Sequence, residues 1–189
     1  QESIELAVMA LFIAYLAPFT LPTRDASAVE FIGYYLLINI GVLLLSSLRP
    51  WKILNQIAFL VTVIVGGMYS LIHGHTYERY TMTALILAHS AVFIWLGFRF
   101  SQLLAKQDLF RFRLKPVLDL ALIFAAPITA YIFLYLIHFN QPDQKLWQAG
   151  LSLLFAGIFA ICWSLGRRRE SIQVISQSYL SLMLIFLAL

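Results

Sequence analysis

The sequence predicts an all-α fold, a polytopic bundle of about seven transmembrane helices. Three observations carry this. The chain is 61% hydrophobic and 12% charged, whereas soluble domains are about 45–50% apolar and about 25% charged. Its apolar runs are roughly 18–24 residues long, the length a helix needs to cross about 30 Å of hydrocarbon. Its charges gather in short stretches between those runs. Lipid offers no hydrogen-bond partners, so a spanning segment must satisfy its own backbone as a helix or in a closed barrel. The runs do not alternate polar and apolar as barrel strands do.

Taken in order, the first span is expected at about Ile4 to Leu21, with Pro18 kinking or ending it. Pro22 to Asp25 is a turn. The second span covers about Val29 to Leu48, opened by Ser27 as N-cap with Glu30 three residues on. After the turn Ser46 to Pro50, the third span runs from about Trp51 to Ile72. The fourth covers about Tyr80 to Phe98 and the fifth about Pro116 to His138, with proline at the helix start. Asn140 to Asp143 is a turn. The sixth span covers about Leu146 to Leu165 and the seventh begins near Ile172. The chain begins without Met and its last run has no polar flank, so we expect an excerpt of a longer protein, one transmembrane helical domain over residues 1–189.

Charge sets the expected orientation. The stretch Arg99 to Pro116 is the longest interval without a membrane-length apolar run, and it holds five of the thirteen Lys and Arg. With Arg49, Lys52, Arg167, Arg168 and Arg169, ten basic residues follow the even-numbered spans, against Arg24, Arg79 and Lys145 after the odd ones. The positive-inside rule then puts the N-terminus and the basic loops in the cytoplasm. Trp51, Trp95 and Trp163 fall at cytoplasmic span ends and Trp147 at an outer end, as amphipathic rings prefer; packing between helices is the plainer alternative.

Two segments look alike. Phe93 to Arg99 resembles Ile161 to Arg167 at an offset of 68 residues, and Leu122-Ile123-Phe124 and Leu184-Ile185-Phe186 follow in the next spans. The repeating unit would be a helical hairpin turning at a basic loop. Any hairpin obeying the charge rule has this plan, so tandem repeats and coincidence both stand.

The stretch Gly33 to Gly66 resembles the domain-of-unknown-function 2339 family of large bacterial membrane proteins. The likeness rests on Gly33-Tyr34, Leu37, Asn39, Gly41, Arg49, Trp51, Leu54-Asn55, Ala58-Phe59 and Thr62. Ala17-Pro18 is similar to that family's preceding span, and Trp95-Leu96-Gly97 with Arg99 to its recurring Trp-Leu-Gly-x-Arg element. The resemblance implies a bacterial inner-membrane location and no established activity. His89 stands six residues before Trp95, where the family pattern leads us to expect a carboxylate.

Few residues are candidates for chemistry. His89 lies at the middle of the fourth span, and an ionisable group at that depth is a functional-site hypothesis by default. Its plain alternative is a neutral ring bonded to a neighbouring helix, with Asn39, similarly deep, as the expected partner. Such bonds are worth about 0.6 kcal/mol on average in membranes. Asp119 lies one turn into the fifth span, where it faces a positive helix end and has Lys115 four residues earlier; the alternative is a cation or proton site. Together His89, Asn39 and Asp119 are the candidate intramembrane polar site. Lys106, Arg111, Arg113 and Lys115 are the candidate contacts to anionic phospholipid, each worth about 1 kcal/mol near a membrane surface. His73, His75, Glu78 and His138 all map to the outer surface but lack a recognised ligand spacing, and we assign no metal and no cofactor.

The spans and loops contain no Ser/His/Asp arrangement, P-loop or dinucleotide-binding glycine pattern. A short tethered basic loop is no nucleic-acid signature. The expected partners are the bilayer and other membrane proteins. Three function classes remain. The first is a structural or assembly module of a large envelope protein, favoured by the near absence of midspan charge. The second is a carrier or flippase for a lipid-linked or weakly polar molecule, favoured by the hairpin repeat. The third is a membrane-embedded enzyme, which would need catalytic groups from elsewhere in the protein. Ala121/Ala125, Ala126/Ala130 and Ala156/Ala160 have helix-packing spacing and favour a closed bundle over a pore.

Overall fold

A computed structural model of the chain describes residues 2–20, 27–48, 52–73, 78–105, 114–168 and 173–189. They are helical almost throughout, with no strand among them. The elements are α1 (Glu2–Thr20), α2 (Ala28–Leu48), α3 (Lys52–Val61), a π-helical turn (Thr62–Gly66), α4 (Gly67–His73), α5 (Arg79–Ala105), α6 (Leu114–Ile137), α7 (Gln144–Arg167) and α8 (Gln173–Ala188). Four segments, Ala28–Leu48, Ile53–Ile72, Arg79–Arg99 and Gln144–Arg167, are long and apolar enough to cross a membrane; Ile4–Thr20, Leu122–Ile137 and Ile175–Ala188 are shorter apolar helices. Many of their large side chains are exposed, Leu6, Leu37, Leu48 and Leu153 among them, while Asn39, Ser46, Asn55, Ser70, His89 and Ser152 are buried. Polar inside and apolar outside is the pattern of a protein whose solvent is lipid.

Contacts divide the chain into two units, residues 1–96 and 97–189, with the unbroken helix α5 contributing to both. In the first unit, α2 runs antiparallel to the helix formed by α3, the π turn and α4. Ser46 meets Asn55, Asn39 meets Thr62, Tyr35 meets Gly66 and Phe31 stacks on Tyr69, so one register holds over the whole length. A Cβ at Gly66 would lie 3.4 Å from the Tyr35 ring, at van der Waals contact, so the two helices meet closely here.

The capping box at the start of α2 forms as its residues predict. The Ser27 amide donates to Glu30 Oε2 (2.9 Å) and the Glu30 amide to Ser27 Oγ (3.2 Å). Pro18 lies in the last turn of α1, which runs to Thr20. Proline supplies no N–H to the carbonyl four residues back, which is that of Ala14. The Tyr34 hydroxyl, from α2, donates to that carbonyl oxygen at 2.9 Å.

The second unit is built on α7 and α8, its most extensively packed pair. Leu151, Ser152, Phe155, Ala156 and Phe159 of α7 are buried, as are Ser176, Tyr179, Leu182 and Phe186 of α8. These i, i+3, i+4 spacings give each helix one inward face. Phe155 and Phe159 stack on Phe186 at 5.0 and 6.0 Å between ring centroids. Near the hairpin end Gly166 lets α8 close in, since a Cβ there would lie 3.1 Å from the Ser176 Cβ. At Gly97 a Cβ would meet Ile123 of α6 at 3.4 Å, an ordinary contact. Tyr131 of α6 shares a 2.9 Å hydrogen bond with Ser152, and Ala126 and Ala130 of the same helix are buried.

Three features differ from expectation. Helix α5 continues to Ala105 rather than stopping at Phe98, because Ser101 to Ala105 are helix-compatible although no longer uniformly apolar. Only 106–113 of the long basic stretch lies between helices, and it falls outside the described residues. Helix α6 also carries Pro127 in its interior, which the expected spans did not mark. The turn at Asn140 forms as expected, with φ 60° at Asn140, a left-handed conformation that asparagine tolerates.

Candidate functional site

Several polar groups of the first unit meet at midspan, where the helix 52–73 is locally widened and underwound. Val61 to Val65 are all β-branched and Gly66-Gly67 follow. Branched side chains crowd the preceding turn of an α-helix, and the two glycines put up no resistance to a changed backbone. The result is the π turn Thr62–Gly66, inserted between two α-helical halves. Such turns often accompany functional sites.

Thr62, the first residue of that turn, accepts a 2.8 Å hydrogen bond from Asn39 Nδ2. Asn39 Oδ1 in turn accepts from the Tyr15 hydroxyl at 2.5 Å. The Tyr15 oxygen also lies 3.5 Å from the Ala58 carbonyl oxygen. One amide therefore ties α1, α2 and the π turn together, and both ends of it are used. The Tyr15 ring meets Tyr35 edge-on at 4.9 Å, and the Tyr35 hydroxyl donates to the Tyr15 carbonyl (3.2 Å). Two turns away along the same register, the Ser46 hydroxyl donates to Asn55 Oδ1 at 2.7 Å.

His89 does not bond to Asn39, contrary to expectation. Its Nδ1 lies 2.8 Å from the carbonyl oxygen of Leu85, one turn back in its own helix. The α2 register explains this, since it sets Asn39 against Thr62 and leaves its other end within reach of the long Tyr15 side chain. His89 is 7% exposed, and among the described residues its Nε2 has no hydrogen-bond partner; the same holds for Ser90 Oγ and Asn55 Nδ2.

The level of His89 follows from its neighbours. Phe93, one turn on, meets Phe59 of α3 edge-on at 5.2 Å. The six-residue step from His73 to Arg79 reaches at most about 20 Å, too short to return along a 22-residue helix of about 33 Å. Helices 52–73 and α5 are therefore antiparallel. One turn from Phe93 toward the start of α5 then matches one turn from Phe59 toward the π turn. His89 and Thr62 stand at the same depth.

The other expected site residues fare differently. Asp119 belongs to the second turn of α6, in the second unit, and its side chain, like that of Lys115, is outside the described set. Lys106, Arg111 and Arg113 lie outside the described residues altogether, as does His75, and the His73 side chain is likewise not described. His138 is fully buried and stacks on Trp147 at 4.4 Å, whose indole donates to Asp143 (3.0 Å). Among the described residues no group of three His, Cys, Asp or Glu is placed to hold a metal. Trp95 is exposed, while Trp163 is half-buried with the Arg167 guanidinium 4.8 Å from its ring centre.

The sequence reading does not mark Tyr15 or Ser90, and it marks Thr62 only through the family likeness. A tally of polar side chains by depth in each apolar run finds all three, since each lies well inside its run. Their pairing was beyond such a tally.

The family model described as predicted membrane protein (DUF2339) matches residues 1–189, the whole chain. No curated protein and no solved structure matches it.

Proposed function

Because the chain belongs to the DUF2339 family of membrane proteins, we propose that it is a helical membrane module with a structural or assembly role in a larger bacterial envelope protein. The observation that carries this reading is Asn39. The most deeply placed amide of the first unit, 1% exposed, spends donor and acceptor on Thr62 and Tyr15 and so on holding three segments together. Its carbonyl oxygen is bonded to one helix and one of its two N–H groups to another, which is what a residue that joins helices does. In this reading the basic stretches, including Lys106, Arg111, Arg113 and Lys115, face the cytoplasm and meet anionic phospholipid, and the N-terminal end of the chain lies on the same side.

The test is native mass spectrometry of the full-length protein released gently from its own membrane. The expected spectrum contains the protein with bulk phospholipid or a co-purifying membrane protein. A small molecule retained at fixed stoichiometry would overturn the structural reading.

A carrier or flippase is the second reading, favoured by one observation: His89 and Ser90 hold buried polar atoms without a partner among the described residues, within the span Arg79–Arg99. His89→Leu separates the two. Unchanged folding with a lost whole-cell phenotype supports a carrier, and unchanged folding with an unchanged phenotype removes its main support.

A further inference from the structure

Hydroxyls inside these helices mostly return a bond to their own backbone. Ser47 bonds to the Leu43 carbonyl, Ser70 to Gly67, Thr83 to Arg79, Ser164 to Ile161 and Ser181 to Gln177. This is the ordinary use of a helical Ser or Thr. Ser90, 4% exposed, makes no such bond, and it adjoins His89, whose Nε2 is likewise without a partner among the described residues. Two neighbouring side chains on one turn of α5 thus present unspent polar atoms in the middle of the span Arg79–Arg99.

The tautomer of His89 fixes what it can bind. A carbonyl oxygen only accepts, so the 2.8 Å contact to Leu85 puts a proton on Nδ1. A second ring proton would leave an unpaired cation at midspan, at high cost. The neutral ring therefore offers a lone pair at Nε2 and needs a donor. The Ser90 hydroxyl both donates and accepts. One O–H group within reach of both atoms would satisfy the two together, giving its proton to Nε2 and receiving that of Ser90. A carbonyl or ether ligand has no proton for Nε2, and an ammonium ion brings a charge to the most expensive depth. Non-α backbone is tolerated at this depth where it is buried in protein or lines a polar cavity; the π turn Thr62–Gly66 stands level with His89 on the antiparallel neighbour.

We propose that His89 and Ser90 form a midspan site for a single neutral hydroxyl group, with His89 Nε2 as acceptor and Ser90 as its partner. Water and the alcohol group of a lipid or lipid-linked molecule share this chemistry. The site stands apart from the structural role proposed above: water is compatible with that role, and an alcohol-bearing ligand would move the protein toward the carrier class.

The test is nitrogen-15 NMR of the full-length protein, labelled at histidine and held in nanodiscs of its native lipids. The His89 signals are assigned by their disappearance in His89→Gln. The expected spectrum shows a neutral ring with Nδ1 protonated and Nε2 shifted by an accepted hydrogen bond. A cross-peak to bulk water that vanishes in heavy water identifies water. A cross-peak to lipid that vanishes on transfer to synthetic phosphatidylcholine identifies an alcohol. Ser90→Ala is expected to abolish the cross-peak and return Nε2 toward its free position. A free Nε2 in the native protein, a proton on Nε2 in place of Nδ1, or a spectrum unchanged by Ser90→Ala would each overturn the site.

Discussion

Replacing Tyr34 by Phe tests how a proline is accommodated in α1. Pro18 deprives the Ala14 carbonyl of its helical donor, and the Tyr34 hydroxyl at 2.9 Å takes that donor's place. Phenylalanine keeps the ring and removes only the hydroxyl, so the packing of half-buried Tyr34 changes little. A polar bond between membrane helices is worth about 0.6 kcal/mol on average and about 1.7 at most. A buried acceptor left without a partner costs about 1–3 kcal/mol. Tyr34→Phe should therefore destabilise the protein by about 1–2 kcal/mol. Pro18→Ala restores an N–H at the right position, so in that background Tyr34→Phe should cost under about 0.5 kcal/mol. The coupling, about 1 kcal/mol, is read from reversible unfolding of the four proteins in mixed micelles, followed by far-UV circular dichroism. An equal cost of Tyr34→Phe in both backgrounds would refute the reasoning, because the hydroxyl would then not be standing in for the missing amide.

Four further outcomes are expected. Asn39→Leu removes two interhelical bonds and leaves the buried Tyr15 hydroxyl only its long 3.5 Å contact to the Ala58 carbonyl, so it should cost about 1–3 kcal/mol; full additivity with Tyr15→Phe in a double-mutant cycle would contradict the network. Gly166→Val forces atoms against Ser176, whose Cβ would already lie 3.1 Å from an added methyl. It should cost about 1–3 kcal/mol and speed proteolysis of the α7–α8 hairpin, with Gly166→Ala less affected; equal proteolysis of the native protein and the valine variant would count against the packing. Ser27→Ala breaks the capping box at about 1 kcal/mol, and hydrogen exchange at the first turn of α2 should quicken while the rest stays constant. For orientation, in a Cys162→Ala background, Gln141→Cys should react with an impermeant maleimide on intact cells and Gln107→Cys only after permeabilisation; the reverse pattern would invert the topology.

Much of this protein is written in one dimension. Long apolar runs, the Ser27–Glu30 cap, the turn at Asn140 and the proline in the first turn of α6 are local matters. Lipid enforces helix wherever a run is long enough, and caps and turns depend on residues within four of each other. The family resemblance was likewise local, carried by Gly33 to Gly66. Depth was legible too, since position along a run gives position across the membrane, and on that ground Asn39 and His89 stood out. What tertiary structure alone decided is which polar groups meet. The α2 register set Asn39 against Thr62 rather than His89, Tyr15 reached across from a third helix, and the Tyr34 hydroxyl found the carbonyl that Pro18 had freed. The physical reason is that an apolar face specifies burial but not rotation or register. Between membrane helices no water is left to distinguish one apolar contact from another, so shape and a handful of hydrogen bonds choose the partners.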